Sequence, residues 1–145
     1  MFALRVLMAG LLVLGATGCA CRVKGGRGNI PVASEGGPLA DVRFGFDSAS
    51  LDADAQAKIA TNAEWLKDNS YADVQVEGHA DERGTTEYNM ALGARRASVV
   101  ADALKAQGVK ADRISTMSYG EELPLDPRHT EEAWARNRRT HHNVK

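Results

Sequence analysis

Apolar positions recur along this chain with two different periods, and the switches between them mark out its elements. From Leu39 to Phe46, "LADVRFGF", they alternate with polar ones and put Val42, Phe44 and Phe46 on one face, which predicts a strand. The next segment, "DADAQAKIATNAEWLKDN", spaces Ala55, Ile59, Ala63 and Leu66 as a helix does, with Asp52 and Asp54 at the end where acids suit the helix dipole. Alternation returns in "DVQVEGH" with Val74 and Val76, a second strand. A long helix follows in "TEYNMALGARRASVVADALKAQG", with Thr85 as its N-cap, Thr86 as its first residue and Gly108 closing it. "DRISTMSYG" is a third strand, "EEAWARNR" a short helix, and the chain ends on "RTHHNVK". Strands alternating with helices in this order predict an α/β (α+β) sandwich, a small mixed β-sheet with helices packed on one face. Architecture of that kind serves many functions and selects none of them.

The first 38 residues follow neither period. "MFALRVLMAGLLVLGATGC" has one positive charge, Arg5, an apolar run from Val6 to Leu14, and small residues up to Cys19. That is the layout of a secretory leader, and the run is shorter than the roughly 20 residues of a membrane-spanning helix. Ala16-Thr17-Gly18-Cys19 resembles a bacterial lipobox, whose cysteine is acylated and becomes the mature N-terminus. It departs from that pattern in having Ala16 where a larger aliphatic residue is usual. Cys21 is the rival lipid site. In lipoproteins, a residue other than Asp after the cysteine, here Ala20, implies export to the outer membrane, and stable anchoring takes more than one acyl chain. Residues 20–38, rich in glycine with two prolines, read as a flexible tether. The expected organisation is therefore a leader over 1–18, an acylated Cys19 and linker over 19–38, and one domain over 39–145.

Composition narrows the possible partners. The chain has 145 residues and a formal net charge of −1, which gives no basic footprint for nucleic acid. Its two cysteines both lie near the leader, so no disulfide framework is expected in the domain.

Charge is concentrated in residues 77–97, "EGHADERGTTEYNMALGARRA". On a helical wheel Leu92, Val99, Val100 and Ala103 form the stripe that should face the sheet, and Arg96 falls inside it, with Arg95 at its edge near Tyr88. An arginine there must snorkel or meet an acid, because an unpaired buried charge is costly. Helical side chains lean toward their own N-terminus, which aims Arg96 back at Asp81. The pair could form an internal salt bridge that ties loop to helix. It could instead hold a zwitterion, an ammonium on Asp81 and a carboxylate on Arg96. The neighbours Asp81 and Glu82 point apart in an extended segment and make a poor acid–base pair. His79 has no companion at ligand spacing and is expected to pack at the strand end, with no metal site. His129, His141 and His142 are expected to be solvated. No nucleophile constellation or phosphate-cradling glycine loop is present, so neither an enzyme nor a bound cofactor is expected.

These residues carry a resemblance. "FGFD", "GHADERGT.EYN.ALG.RRA", "SYGEE.P" and "A.NRR" are similar to the signatures of the peptidoglycan-associated lipoproteins, within the wider OmpA-like C-terminal domain family, from about Val42 to Arg139. The resemblance implies a non-catalytic domain that grips the diaminopimelate residue of the peptidoglycan stem peptide. It implies that Asp81 is the key acid, that Arg96 rather than Arg95 is the key arginine, and that Phe46 and Asp47 line the same pocket. Asn89 and Leu92 match positions that look architectural, Asn89 by bonding loop backbone. Diaminopimelate carries an ammonium and a carboxylate on one end, the zwitterion that Asp81 and Arg96 suggest. The resemblance further implies an outer-membrane lipoprotein on the periplasmic face that tethers membrane to wall. It also implies contact with TolB in the Tol–Pal system during cell division, for which Glu82, Arg83 and Thr85 offer a surface beside the pocket. A wall-binding lipoprotein outside that system and a peptidoglycan-processing enzyme are the alternatives. One departure stands out: "NRR" is usually followed by an alternating apolar strand, whereas residues 140–145 offer only Val144, which predicts a last strand that is short, at an edge or altered.

Overall fold

A computed structural model describes residues 36–145. The leader, Cys19, Cys21 and nearly all of the tether lie outside the described residues. In chain order the elements are β1 (Val42–Arg43), α1 (Ala53–Asp68), β2 (Val74–His79), α2 (Thr86–Ala106), a 3-10 turn (Ala111–Arg113), β3 (Ile114–Gly120), α3 (Glu131–Asn137) and β4 (Arg139–Val144). The strands form one mixed sheet in the order β1-β4-β2-β3, with β2 and β3 parallel and the other pairs antiparallel. The apolar core lies between that sheet and α1 and α2. Val42, Val74 and Val76 from the strands meet Ile59, Ala63 and Leu66 of α1 and Ala97, Val100 and Leu104 of α2.

The helix ends form where polar side chains can satisfy free backbone groups. Asp52 accepts from Ala55 N–H at 2.8 Å, and Thr85 accepts from Tyr88 N–H at 3.2 Å, so both helices begin at the expected residues. At the far end of α2, Gly108 takes φ +95°, its N–H reaches Lys105 O and Val109 N–H reaches Leu104 O. This pair of bonds closes the helix with a residue in the left-handed region that glycine tolerates best.

Two glycines set how closely α2 lies on the sheet. A Cβ on Gly78 of β2 would sit 1.9 Å from Gly93 O of α2, and one on Gly93 would sit 2.3 Å from Ser118 Oγ of β3. No side chain fits there, so helix and strand touch backbone to backbone. Arg96 follows Gly93 by one turn and therefore arrives at the end of β2.

Four expectations need correction. The last strand is neither short nor an edge: β4 has six residues and lies between β1 and β2. Backbone pairing on both sides holds it there, and its buried face carries Thr140 and His142 in place of apolar alternation. Nor are His141 and His142 solvated. His142 is 1% exposed and pairs in register with Val76, while His141 Nδ1 lies 2.8 Å from an Asp41 oxygen. The first strand is shorter than predicted. After Phe44 N–H donates to Arg138 O, the chain turns at Phe46 and Asp47, with Asp47 at φ +49°, and the turn carries Phe46 out of the buried face to 61% exposure. On α2, finally, the buried stripe is Asn89, Leu92, Gly93, Arg96, Ala97, Val100, Ala101 and Leu104, with Val99 and Ala103 half-buried at its flank.

Candidate functional site

The loop after β2, the first three turns of α2 and the turn after β1 enclose a cavity of about 250 Å³. Asp81, Arg96, Phe46 and Asp47, the four residues singled out for binding, all line it. Arg83, Gly84, Tyr88, Asn89 and Leu92 complete the wall.

Arg96 is completely buried, and its charge is met by backbone instead of an acid. Nε donates to Ser48 O at 2.8 Å, Nη1 to His79 O at 2.8 Å and Nη2 to Gly45 O at 3.0 Å. Those carbonyls come from the turn after β1 and the end of β2, so the arginine joins three segments at the cavity floor. Three bonds leave two of its five N–H groups without a hydrogen-bond partner among the described residues. Burial, partly offset by the Asp81 charge, lowers its pKa to about 10, so it remains a cation at neutral pH.

Asp81 is also buried, and the internal Asp81–Arg96 salt bridge is not formed: the two share no hydrogen bond. Asp81 Oδ1 accepts from the N–H of Arg83 at 3.1 Å and from its Nε at 3.2 Å. Oδ2 accepts from Arg83 Nη2 at 2.9 Å and from Arg138 Nη1 at 3.4 Å. Burial alone would raise this carboxyl, but the hydrogen bonds from Arg83 outweigh it and hold the pKa below the ordinary value, so the group is ionised.

Arg83 and Arg138 are the site residues that the sequence did not reveal. Arg83, expected on a contact surface beside the pocket, forms part of the pocket wall. Its guanidinium stacks between two rings, 4.1 Å from the centre of Phe46 and 4.3 Å from that of Trp134. Arg138 is nearly buried and donates to Phe44 O at 3.2 Å as well as to Asp81. These contacts join residues far apart in the chain, which leaves no periodic trace. The doubled arginine of "NRR" was the only available cue.

The surrounding residues take simpler roles. Glu82 points away from Asp81 and accepts from Trp134 Nε1 at 2.8 Å, with His129 Nδ1 at 2.7 Å. Thr85 caps α2 at the surface. The Tyr88 hydroxyl donates to Asp47, and Arg95 lies on the exposed side with its guanidinium 5.6 Å from the Tyr88 ring. Asn89 does not bond loop backbone as expected. Its Nδ2 donates to Glu121, and its buried Oδ1 has no partner although the residue lines the cavity. His79 is buried at the end of β2 and stacks on Tyr119 at 5.5 Å.

The site sits within a domain of known type. Residues 43–138 match the family model described as the OmpA family. Among relatives, a peptidoglycan-associated lipoprotein of Mesorhizobium japonicum is 49% identical over 96 residues, 66% of this chain and 57% of that protein. One of Agrobacterium fabrum is 50% identical over the same length, 66% of this chain and 54% of its own. The chain thus spans little more than half the length of these relatives. Among solved structures, the peptidoglycan-associated lipoprotein of Burkholderia pseudomallei superposes with a TM-score of 0.70 at 39% identity, covering 72% of this chain and 89% of that one. The C-terminal domain of Helicobacter pylori MotB, at 23% identity and a TM-score of 0.69, shares the fold. By the extent of the family match and the identity of its relatives, this chain belongs to the OmpA family.

Proposed function

We propose that this protein is an outer-membrane lipoprotein that binds peptidoglycan without covalent attachment and without catalysis, gripping the diaminopimelate of the stem peptide. The observation that carries the reading is the cavity itself, where a buried guanidinium with two unspent N–H groups and an ionised carboxylate line one space. A guest bearing an ammonium and a carboxylate a few bonds apart satisfies both, the carboxylate on Arg96 and the ammonium on Asp81. The orphaned Asn89 Oδ1 offers that ammonium a second acceptor. A cavity of about 250 Å³ suits the end of an amino-acid side chain and is small for a whole saccharide. The names of the relatives support the class of ligand.

In this reading the domain is held to the outer membrane by acylated Cys19 on the periplasmic side, and the linker sets its reach to the wall. Contact with TolB during division belongs to the same reading. Glu82, Arg83 and Thr85 border the pocket, so a protein seated on them would exclude the wall.

One experiment separates recognition of the zwitterion from mere attraction of a cation. Soluble stem peptide with meso-diaminopimelate should displace the protein from purified sacculi. The same peptide with lysine, which keeps the ammonium and lacks the carboxylate, should compete at least tenfold less well, the loss of one charge-assisted pair. Equal competition would show that Arg96 does not read a carboxylate. Release of soluble fragments from the sacculi would favour a processing enzyme.

A further inference from the structure

Asp81 does not stand open in the cavity, because an arginine of its own loop occupies it. Asp81, Arg83, Glu131 and Arg138 close into a ring in which acids and arginines alternate. Arg83 reaches Asp81 at 2.9 Å and Glu131 at 3.4 Å, and Arg138 reaches the same two carboxylates at 3.4 Å and 3.0 Å. A guest ammonium must therefore compete with a guanidinium already in place.

The two arginines of the ring are not equally free to move. Arg138 is nearly buried, and moving it would break its bond to Phe44 O at 3.2 Å. Arg83 is 31% exposed and stands on a loop, its flat head between the rings of Phe46 and Trp134. A guanidinium between two aromatic faces can slide in its own plane and keep both contacts. Glu131 lies along that slide. It is 60% exposed, sits in the first turn of α3, and already holds Nη1 of Arg83.

We propose that Arg83 stands in for the guest's ammonium on Asp81, and that Glu131 is the positioning residue that receives Arg83 when the guest arrives. The exchange replaces one cation on Asp81 by another and leaves the displaced arginine paired, so no buried charge is stranded. It makes affinity depend on a residue outside the cavity wall. The inference rests on the reading of the cavity as a receptor for an ammonium and a carboxylate.

The test is calorimetric titration of the full chain in detergent with soluble meso-diaminopimelate stem peptide. Glu131→Gln should weaken binding five- to tenfold, and Glu131→Asp should restore most of it. In an Arg83→Met background, where no guanidinium needs a receiver, Glu131→Gln should change affinity less than twofold. An equal loss in both backgrounds, or no loss in the wild-type background, overturns the exchange. Asp81→Asn serves as the reference. If it binds like the wild type, the receptor reading itself falls and the exchange with it; if binding depends on Asp81 but the cycle shows no coupling, only the exchange falls.

Discussion

Around Asp81 and around Asp41 this domain encloses the same kinds of group, a carboxylate with arginine at its side, and puts them to different use. Asp41 lies just before β1 and receives Arg139 Nε at 3.2 Å, with His141 Nδ1 at 2.8 Å, both from β4. Its partners belong to the neighbouring strand, Arg139 is wholly buried, and the contacts sew the start of the first strand to the last. Asp81 is held chiefly by an arginine of its own loop, one that is partly exposed and has a second carboxylate within reach. One cluster is closed through a sheet, while the other is closed by a side chain that can leave. Buried charge beside a cavity therefore does not identify a binding site, since Asp41 also lines one; what distinguishes the second cluster is a replaceable partner with a second carboxylate in reach.

The largest effect that separates the two clusters is on stability. Asp41→Ala removes the carboxylate that the buried Arg139 and His141 both reach and should cost about 3 kcal/mol in chemical denaturation, with stem-peptide affinity unchanged in the folded fraction. Asp81→Asn leaves Arg83 and Arg138 both paired with Glu131 and should cost about 1–2 kcal/mol, while sedimentation with sacculi is lost. A reversal, with Asp41 needed for binding and Asp81 for folding, would break the distinction.

The polar strand explains why part of the fold was hidden in the sequence. Helix starts at Asp52 and Thr85 and the anomaly of Arg96 were legible, because caps and helical stripes are local patterns. The interior place of β4 was not. Its buried face presents Thr140 and His142 where alternation predicts apolar residues, and its other face depends on Asp41, a hundred positions away. The cavity was half legible for the same reason. Asp81 and Arg96 belong to one continuous stretch of chain, whereas the stack of Arg83 on Phe46 and Trp134 joins three separate segments.

A smaller effect follows from the imidazole in that strand. Burial lowers the pKa of His142 to about 4, with the nearby Asp41 charge opposing the shift and His141 reinforcing it. Because the folded value lies below the unfolded one of about 6.5, the unfolded chain takes up the proton first. Stability is therefore unaffected by this group above pH 6.5 and falls as pH drops from there toward 4. His79, lowered to about 3 chiefly by burial, acts in the same direction. His141 acts in the opposite one. Hydrogen bonding to Asp41 raises its pKa, so its contribution is complete below the unfolded value and fades as pH rises through the folded one. His142→Leu should reduce the stability lost between pH 7 and pH 4.5 by roughly 2–3 kcal/mol, read from denaturation midpoints at each pH. An unchanged acid limb would mean that His142 does not titrate on unfolding.

The smallest effect, and the sharpest control, concerns two adjacent arginines on one helix. Arg96 is enclosed and bonded to three backbone carbonyls, whereas Arg95 is exposed beside Tyr88. Successive helical residues differ by about 100° around the axis, so only one of them can face the cavity. Arg95→Ala should alter stability by no more than about 0.5 kcal/mol, as is usual for surface positions, and sacculus binding by less than twofold. Arg96→Ala should abolish binding and also destabilise the domain, since the carbonyls of Gly45, Ser48 and His79 lose their donor. Arg96→Lys tests what the cavity requires. It returns a positive charge but not the planar fork, so it should recover much of the stability and little of the preference for diaminopimelate over lysine peptide. Full recovery of that preference by lysine would reduce the role of Arg96 to its charge. The three carbonyls that orient its guanidinium would then matter only for folding.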